Sequence, residues 1–175
     1  MQHYNTMPDK HLLILNHQQI QQKIDRIAYQ ILEDNFDEEE IIIAGILPSG
    51  DKIAKRLKAI LDDIAPFKST FVGIELDKQS TSLIANFAFN VQDCSNKVVI
   101  LVDDVLNSGK TIAYGFGVFR DVPLKKLRTA VLIDRNHKRF PMITDFAGMA
   151  LSTVLKEFVD VVLDEEGQED GVYLR

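Results

Sequence analysis

The sequence has one cysteine, no long hydrophobic run and a deficit of positive charge. A lone cysteine, Cys94, excludes an internal disulfide and is typical of a protein kept in a reducing compartment. No segment approaches the roughly 20 apolar residues of a membrane-spanning helix, and residues 1–10 lack the apolar core of a signal peptide. We therefore expect a soluble, cytoplasmic protein with no membrane partner, in which Cys94 is structural rather than nucleophilic.

The charge balance is acidic. The net charge is −6, from 26 acidic and 20 basic residues, so no overall positive field attracts nucleic acid or anionic lipid. Internal repeats, low-complexity tracts and linker-like segments are also lacking. The chain has 175 residues, of which 46% are hydrophobic, and is long enough to bury one sizeable core. We predict a single domain spanning residues 1–175.

Short apolar runs alternate along the chain with segments of helical spacing. Asn16 and Gln19 have the spacing of a capping box at the start of the first helix. The acidic stretch at 34–40 is predicted to be a solvated loop and residues 45–50 a turn. Predicted strands lie at 41–44, 71–76, 99–102, 129–133 and 159–163, and predicted helices at 17–34, from 51 onward and at 111–120. This alternation predicts a parallel α/β sheet with right-handed crossovers.

The most informative segment is the run from Val99 to Thr111. Its four leading β-favouring apolar residues predict a central strand buried on both faces. Asp103 and Asp104 follow at the sheet edge where open α/β sheets bind ligands, and there they can accept hydrogen bonds from vicinal hydroxyls or hold a hydrated Mg2+. The polar residues that follow pivot on Gly109, so backbone N–H groups can converge on one anion at the next helix. The run predicts a site for a phosphorylated sugar.

Other interpretations of this segment are weaker. A Walker A loop needs a glycine five positions before Gly109, where Asp104 stands. Gly115 and Gly117 lack the third glycine of a dinucleotide fingerprint, because position 120 is Arg120, and they lie inside a predicted helix. A solvated acid pair and a turn that starts a helix remain the commoner explanation for either feature taken alone.

Taken together, residues 99–111 resemble the phosphoribosyl pyrophosphate (PRPP) signature of type I phosphoribosyltransferases. That signature has four apolar residues, two acids, three variable residues, Thr or Ser, Gly, any residue and Thr. The resemblance implies the type I fold, a central mainly parallel sheet flanked by helices with a small hood, and Mg2+ as cofactor. It implies Asp103 and Asp104 as catalytic residues that hold the ribose hydroxyls and, indirectly through PRPP or water, the metal. The 5-phosphate of PRPP would lie in the loop formed by Val105, Leu106, Asn107, Ser108, Gly109, Lys110 and Thr111.

Two later segments narrow the resemblance to one branch. Residues 132–141 (Leu-Ile-Asp-Arg-Asn-His-Lys-Arg-Phe-Pro) and 144–148 (Thr-Asp-Phe-Ala-Gly) resemble the pyrimidine-operon attenuation regulators, which are also uracil phosphoribosyltransferases. Residues 161–174 resemble that branch less closely. By this resemblance, the candidates for the base or pyrophosphate site are Asp134 and Arg135, and the candidate RNA contacts are His137, Lys138 and Arg139. Type I relatives usually form dimers, so a homodimer is expected.

The basic turn at 137–139 also has a simpler explanation as a solvated surface turn. RNA is a disfavoured partner because phosphate contacts supply most of such affinity and the chain is acidic overall.

Two segments depart from the family pattern. The pyrophosphate loop is Leu47, Pro48, Ser49 and Gly50, which lacks the basic side chains of the family. Backbone N–H groups of Ser49 and Gly50, with Lys52 one turn on, are left to meet pyrophosphate. The loop at 77–82 is shorter than the family's flexible loop. Both departures predict that donor binding survives while turnover is slow.

Asn107 favours a pyrimidine over a purine substrate. In 6-oxopurine enzymes this position is usually an aspartate that interacts with the reacting ring nitrogen, and an amide cannot accept that proton. The sequence predicts an enzyme of nucleotide salvage that transfers the 5-phosphoribosyl group from PRPP to a nucleobase, uracil first, and releases pyrophosphate. The alternatives are a nucleotide- or PRPP-sensing regulator of the RNA-binding type with weak or no catalysis, and a purine phosphoribosyltransferase.

Overall fold

A computed structural model describes residues 12–76, 85–87, 89–136, 138–152 and 157–175. The predicted loop at 77–82 therefore lies outside the described residues. A 3-10 helix at Val91–Cys94 precedes the fifth strand. The other elements, in chain order, are β1 (Leu12–Asn16), α1 (His17–Asp34), β2 (Glu40–Ile46), α2 (Gly50–Ile64), β3 (Lys68–Leu76), β4 (Ala85–Phe87), β5 (Val98–Leu106), α3 (Lys110–Val118), β6 (Lys126–Arg135), β7 (Phe146–Leu151), β8 (Val159–Val162) and β9 (Gly171–Leu174).

The main sheet has the strand order β4-β3-β2-β5-β6-β7. β3, β2, β5, β6 and β7 run parallel, and β4 pairs antiparallel with β3. β5 lies between β2 and β6, so the central position predicted for the strand at 99–102 is confirmed. β7 was not predicted, because Gly148 and two alanines interrupt its apolar pattern.

Both faces of the main sheet are covered. Ile41 and Ile43 of β2 and Ile100 of β5 lie in a core with α1 and α2. Their neighbours along the strands, such as Ile42 and Leu101, lie in a second core with α3. Successive side chains of a strand point to opposite faces, so a strand apolar at every position is the expected centre of a sheet with helices on both sides.

Helix α1 begins where the sequence predicts. The side chain of Asn16 accepts a hydrogen bond from the Gln19 N–H, and the side chain of Gln19 accepts one from the Asn16 N–H, both at 2.9 Å. The predicted capping box is thus confirmed. Cys94, at the end of the 3-10 helix, is buried, and burial raises the pKa of its thiol, as a structural rather than nucleophilic cysteine requires.

A second, antiparallel sheet joins the two ends of the chain in the order β1-β9-β8. We call it the hood, since it is the small additional unit that the family resemblance predicts. The strand expected at 159–163 lies here as β8, so its predicted place in the parallel sheet was wrong. β1 was not predicted, because its four apolar residues directly precede the capping box. Their pattern alone does not separate a short strand from the start of a helix.

Ionic contacts join α2 to the turn between β8 and β9. Arg56 contacts the carboxylates of Asp164 at 2.6 Å and Asp170 at 2.7 Å. Burial by itself would raise the pKa of Asp170, but the Asp164 N–H and the Arg56 guanidinium outweigh it, so the pKa lies below its usual value. The hood is therefore anchored to the helix that follows the predicted pyrophosphate loop.

Ion pairs lie along the amino edge of the main sheet, where its parallel strands begin. Asp34 contacts Lys126 at 2.9 Å and Arg128 at 3.2 Å, and Glu38 contacts Lys125 at 2.7 Å. The acidic stretch at 34–40 was therefore wrongly predicted to be only solvated, because its acids meet the bases that begin neighbouring strands. Within the described residues, no helix combines the length and apolar content needed to cross a membrane.

Candidate active site

The acid pair lies inside β5 rather than after it. Asp103 is opposite Val131 of β6, and the ladder continues to Leu106, so the predicted strand end at Val102 was wrong. The ladder is made by backbone groups and does not stop where the side chains become polar. Asp103 is buried, with 6% of its surface exposed, and Asp104 is partly buried.

Each acid side chain bonds to the backbone that follows it. A carboxylate oxygen of Asp103 accepts from the Asp104 N–H at 3.0 Å, and one of Asp104 accepts from the Val105 N–H at 2.8 Å. These hydrogen bonds fix the direction of the two carboxyl groups at the end of the central strand.

A tight loop and a helix start follow the acids. Gly109 has φ +84°, a left-handed conformation that glycine adopts without steric cost, and it precedes the first residue of α3. A Cβ added there would lie 3.1 Å from the carbonyl oxygen of Phe140. The turn therefore needs glycine for its φ and has little room for a side chain.

A cavity of about 110 Å3 lies over this turn. All the residues predicted to bind PRPP line it except Asp104 and Lys110, and Ile112 joins them. Lys110 instead places its ammonium 5.3 Å from the ring centre of Tyr114. A helix start and a left-handed glycine beside it are features suited to an anion, although the N–H of Lys110 donates to the Ser108 hydroxyl at 3.2 Å.

The connection between β6 and β7 supports the loop from outside. The N–H groups of Arg139 and Phe140 both donate to the carbonyl oxygen of Ser108, each at 2.9 Å. The ammonium of Lys138 contacts Asp134 at 3.2 Å, so this candidate RNA contact is already ion-paired. His137, the third candidate, lies outside the described residues.

The predicted pyrophosphate loop lies directly against β5. β2 continues through Ile46 and α2 begins at Gly50, so the predicted turn at 45–50 is shorter than expected. A Cβ on Gly50 would lie 2.8 Å from the Cα of Asp103 and still closer to the carbonyl oxygen of Val102. This close approach brings the loop formed by Leu47, Pro48, Ser49 and Gly50 beside the acid pair.

The start of α2 offers backbone groups rather than charge. Ser49 occupies the N-cap position, and its side chain makes no capping hydrogen bond to the described residues. Lys52 points away, with its ammonium 2.6 Å from the carbonyl oxygen of Leu163 in the hood. Its predicted role beside pyrophosphate stays a prediction, and it would require the ammonium to leave the hood carbonyl.

The last two residues of β6 are tightly bonded. Asp134 accepts from the hydroxyl of Thr144 at 2.7 Å, and its other carboxylate oxygen is buried with no partner among the described residues. Arg135, 3% exposed, donates to the Asn107 side chain at 2.9 Å and to the Glu157 carbonyl at 2.7 Å. No local pattern predicts the link from Arg135 to the loop, because 28 residues separate it from Asn107.

The donor set fits a magnesium ion held together with ligand oxygens. Among the described residues, no cluster of three or more His, Cys, Asp or Glu side chains is placed to hold a metal ion. Mg2+ is commonly bound by one or two carboxylates while substrate phosphates and water complete the octahedron. Asp103 and Asp104 supply two such carboxylates beside a cavity suited to a phosphate.

Comparisons with known proteins agree with this geometry. A family model described as the phosphoribosyl transferase domain matches residues 13–165. The chain belongs to this family. The matched range includes the run from Val99 to Thr111.

The named relatives cover nearly the whole chain. The bifunctional protein PyrR of Fusobacterium nucleatum is 32% identical over 177 residues, which cover 96% of this chain and 100% of that protein. The bifunctional protein PyrR of Alkaliphilus metalliredigens is 34% identical over 173 residues, covering 94% of this chain and 95% of that protein. The predicted resemblance to the pyrimidine-operon regulator branch is confirmed.

Solved structures confirm the type I phosphoribosyltransferase fold. The hypoxanthine phosphoribosyltransferase of Trypanosoma cruzi matches with a TM-score of 0.75 at 18% identity, covering 93% of this chain and 95% of that one. A hypoxanthine-guanine phosphoribosyltransferase of Bacillus anthracis matches with a TM-score of 0.71 at 20% identity, covering 92% and 95%. At these identities the likeness concerns the fold and not the base.

Proposed function

We propose that this protein transfers the 5-phosphoribosyl group of PRPP to a nucleobase, uracil first, and releases pyrophosphate. The observation that carries the proposal is the cavity at the end of β5, where Asp103 lies beside the left-handed Gly109 turn and the start of α3. A carboxylate suits ribose hydroxyls and an N-terminal helix turn suits a phosphate, so the two parts fit the two ends of a phosphorylated pentose.

In the proposed reaction, the bond between C1 of the ribose and the pyrophosphate oxygen breaks, and its electron pair leaves with pyrophosphate. A ring nitrogen of the base forms the new bond to C1, and the proton of that nitrogen passes to solvent. Asp103 and Asp104 hold the ribose and stabilise positive charge on its ring. Mg2+, when bound with PRPP, supplies charge neutralisation on the leaving group.

Uracil is the proposed base for two reasons. Asn107 is an amide, which cannot take up the proton of a reacting ring nitrogen as the aspartate usual at this position in 6-oxopurine enzymes would. The relatives with about one third identical residues are PyrR proteins, whereas the purine enzymes match at 20% identity or less. We further propose a homodimer in the cytoplasm, with sedimentation as the test of its mass.

The decisive experiment measures pyrophosphate release from PRPP and Mg2+ with uracil, orotate, hypoxanthine, guanine, xanthine and adenine in separate reactions. We expect release with uracil and a loss of roughly 100-fold or more in Asp103→Asn/Asp104→Asn. The matched control is Asp62→Asn/Asp63→Asn, an adjacent aspartate pair at the far end of α2, which should retain activity. Release with a purine alone would establish the purine enzyme instead.

A nucleotide-responsive regulator is the second proposal. Arg139 is exposed and makes no ion pair within the described part of the chain, so it is free to contact a phosphate. A pool of hairpin RNAs should then bind, with affinity that falls steeply as salt rises and falls further in Arg139→Ala. No binding at low salt would reject this proposal, while silence with all six bases in protein that still binds PRPP would favour it.

A further inference from the structure

Two basic side chains of α2 hold the turn between β8 and β9. The ammonium of Lys52 donates to the carbonyl oxygen of Leu163 at 2.6 Å, and the guanidinium of Arg56 contacts Asp164 and Asp170. Lys52 and Arg56 are four residues apart, so they lie on the same face of the helix. That face of α2 is turned to the hood, while the first residue of the same helix lies against the acid pair.

The two contacts differ in the group that the cation meets. Arg56 meets carboxylates, and one of them, that of Asp170, is 6% exposed and also accepts from the Asp164 N–H at 3.0 Å. Separating this pair would leave a buried charge without its partner, which is costly. Lys52 forms no salt bridge within the described part of the chain, and its hydrogen bond there goes to a neutral carbonyl oxygen. Arg56 is therefore the firmer anchor of the hood, and Lys52 is the one that can be exchanged.

The place of Lys52 in the helix also brings its side chain toward the pyrophosphate loop. Lys52 is the third residue of α2, and the side chains of a helix tilt toward its amino end, where residues 47–50 lie. The four residues of the loop are uncharged. The next cation of the helix, Lys55, is already paired with Asp51 at 2.9 Å. Lys52 is therefore the cation closest to the loop along the chain, and no acid of the described residues balances its charge.

We infer that Lys52 is a pyrophosphate-binding residue with two positions, and that its ammonium exchanges the Leu163 carbonyl for pyrophosphate when that group enters the loop. A pyrophosphate oxygen is the stronger acceptor because it carries charge, so the ammonium gains by the exchange. The exchange removes one of the two contacts between α2 and the hood, and Arg56 keeps the other. The inference rests on the proposed function for the presence of pyrophosphate.

This exchange would couple the leaving group to the hood. Pyrophosphate in the loop should loosen the turn at 163–170, because the turn loses the Lys52 contact. A ligand that binds the folded protein ordinarily stabilises it, so loosening of a segment outside the loop is a distinctive result.

The first test measures binding of inorganic pyrophosphate with Mg2+ by calorimetry, which requires neither PRPP nor a base. We expect Lys52→Met to bind roughly tenfold more weakly than the wild type, since it removes a hydrogen bond to a charged group. Lys52→Arg keeps the charge and should recover most of the affinity. The matched control is Lys58→Met, which removes the same charge from the same helix at a side chain paired with Asp62, and it should bind normally.

Hydrogen exchange tests the position of Lys52 on the hood. The reporter is the Asp164 amide, which donates to Asp170 within the turn. In the wild type, pyrophosphate with Mg2+ should make this amide exchange several-fold faster, while the amides of 98–102 in β5 keep their protection. In Lys52→Met the reporter should exchange fast from the start and should not respond to pyrophosphate. A wild-type turn that pyrophosphate leaves unchanged or protects would overturn the exchange of partners.

These outcomes separate the inference from the proposed function. If the wild type transfers the phosphoribosyl group to a base but Lys52→Met binds pyrophosphate equally well, the proposed function stands and the inference fails. If pyrophosphate binds through Lys52 but none of the six bases is a substrate, the inference stands and the proposed transfer fails. A wild type that binds no pyrophosphate would also overturn the inference.

Discussion

Acidic side chains serve different purposes at the two edges of the main sheet, the amino edge where the parallel strands begin and the carboxyl edge where they end. At the amino edge, acidic side chains of the segment before β2 contact basic side chains that begin neighbouring strands, as Asp34 and Glu38 do. At the carboxyl edge, the side chains of Asp103 and Asp104 accept hydrogen bonds from the backbone that follows them. The first arrangement satisfies charge within the protein, whereas the second presents polar groups around a cavity.

This difference indicates that the amino edge of the sheet contributes to stability, whereas the carboxyl edge positions the groups that bind a ligand. Ion pairs at the amino edge need long side chains and tolerate small movements, since exposed pairs contribute little each. The carboxyl edge depends on backbone position, which is set by close contacts at Gly50 and Gly109. We therefore expect glycine substitutions at the carboxyl edge to have larger effects than charge removal at the amino edge.

The largest effect is expected from Gly50→Ala. The new Cβ would meet backbone atoms of Val102 and Asp103, which cannot move without distorting the central strand. We expect the free energy of unfolding to fall by about 3 kcal/mol and PRPP binding to weaken. The measurement is urea unfolding beside calorimetry.

The control for Gly50→Ala is Gly73→Ala in β3. There the added Cβ would lie 3.1 Å from a terminal methyl of Leu47, which can rotate away. This variant should lose less than about 1 kcal/mol. Equal losses in the two variants would mean that the contact between α2 and β5 does not hold the site.

Gly109→Ala should have the next largest effect, and its main consequence is on the ligand. Both Gly109 (φ +84°) and Gly167 (φ +76°) are left-handed, but only the Cβ of an alanine at Gly109 would meet neighbouring atoms, at 3.1 Å from the Phe140 oxygen. Each substitution should cost about 1 kcal/mol of stability for its backbone conformation.

The ligand should separate these two variants. We expect Gly109→Ala to weaken PRPP binding roughly tenfold or more, because the loop must shift away from Phe140. Gly167→Ala, in the turn before β9, should bind PRPP normally. If both bind alike, the loop tolerates a side chain and the fit at Phe140 does not matter.

Much of the fold could be predicted from the sequence, because the spacing of apolar residues reflects which side chains are buried. The alternation of apolar runs and helical spacing predicted β2, β3, β5 and β6 with their helices, and the family signature predicted the loop around Gly109. The hood and β7 were harder to predict from the sequence. β8 is a short apolar run like those of the main sheet, and only its partners, β1 and β9, place it in another sheet.

The site contacts that the sequence missed are all long-range. Lys52 is one turn from the pyrophosphate loop in sequence, but its ammonium contacts the hood because Leu163 offers a carbonyl oxygen there. The link between Arg135 and Asn107 likewise joins the end of β6 to the end of β5. Local pattern contains no information on such pairs. For Arg135 and Asn107, the register of β5 and β6 brings the two strand ends side by side.

The smallest effect is expected at the amino edge, where Glu40 can be titrated. A hydrogen bond from Lys97, with another from Thr70, lowers the pKa of Glu40 from 4.5 to about 2, although burial opposes the shift. A carboxyl whose pKa is lower in the folded state stabilises the protein above its ordinary pKa, and this contribution is lost as the pH falls from 4.5 toward 2. Because Lys97 is one third exposed and Lys68 largely so, we expect only about 1 kcal/mol at pH 6.

Glu40→Gln tests this expectation against Glu39→Gln, which removes the same charge one residue earlier, at a side chain with no ion pair in the described part of the chain. Urea unfolding at pH 6 and pH 3 should show that Glu40→Gln is less stable than the wild type at pH 6, and that the difference shrinks at pH 3. Glu39→Gln should show no such change.

PRPP binding should be normal in both variants, since the amino edge does not contribute to the cavity. An equal pH dependence in the two variants would contradict the role of the Lys97 contact. Weakened PRPP binding in Glu40→Gln alone would show instead that the two edges are coupled through the sheet.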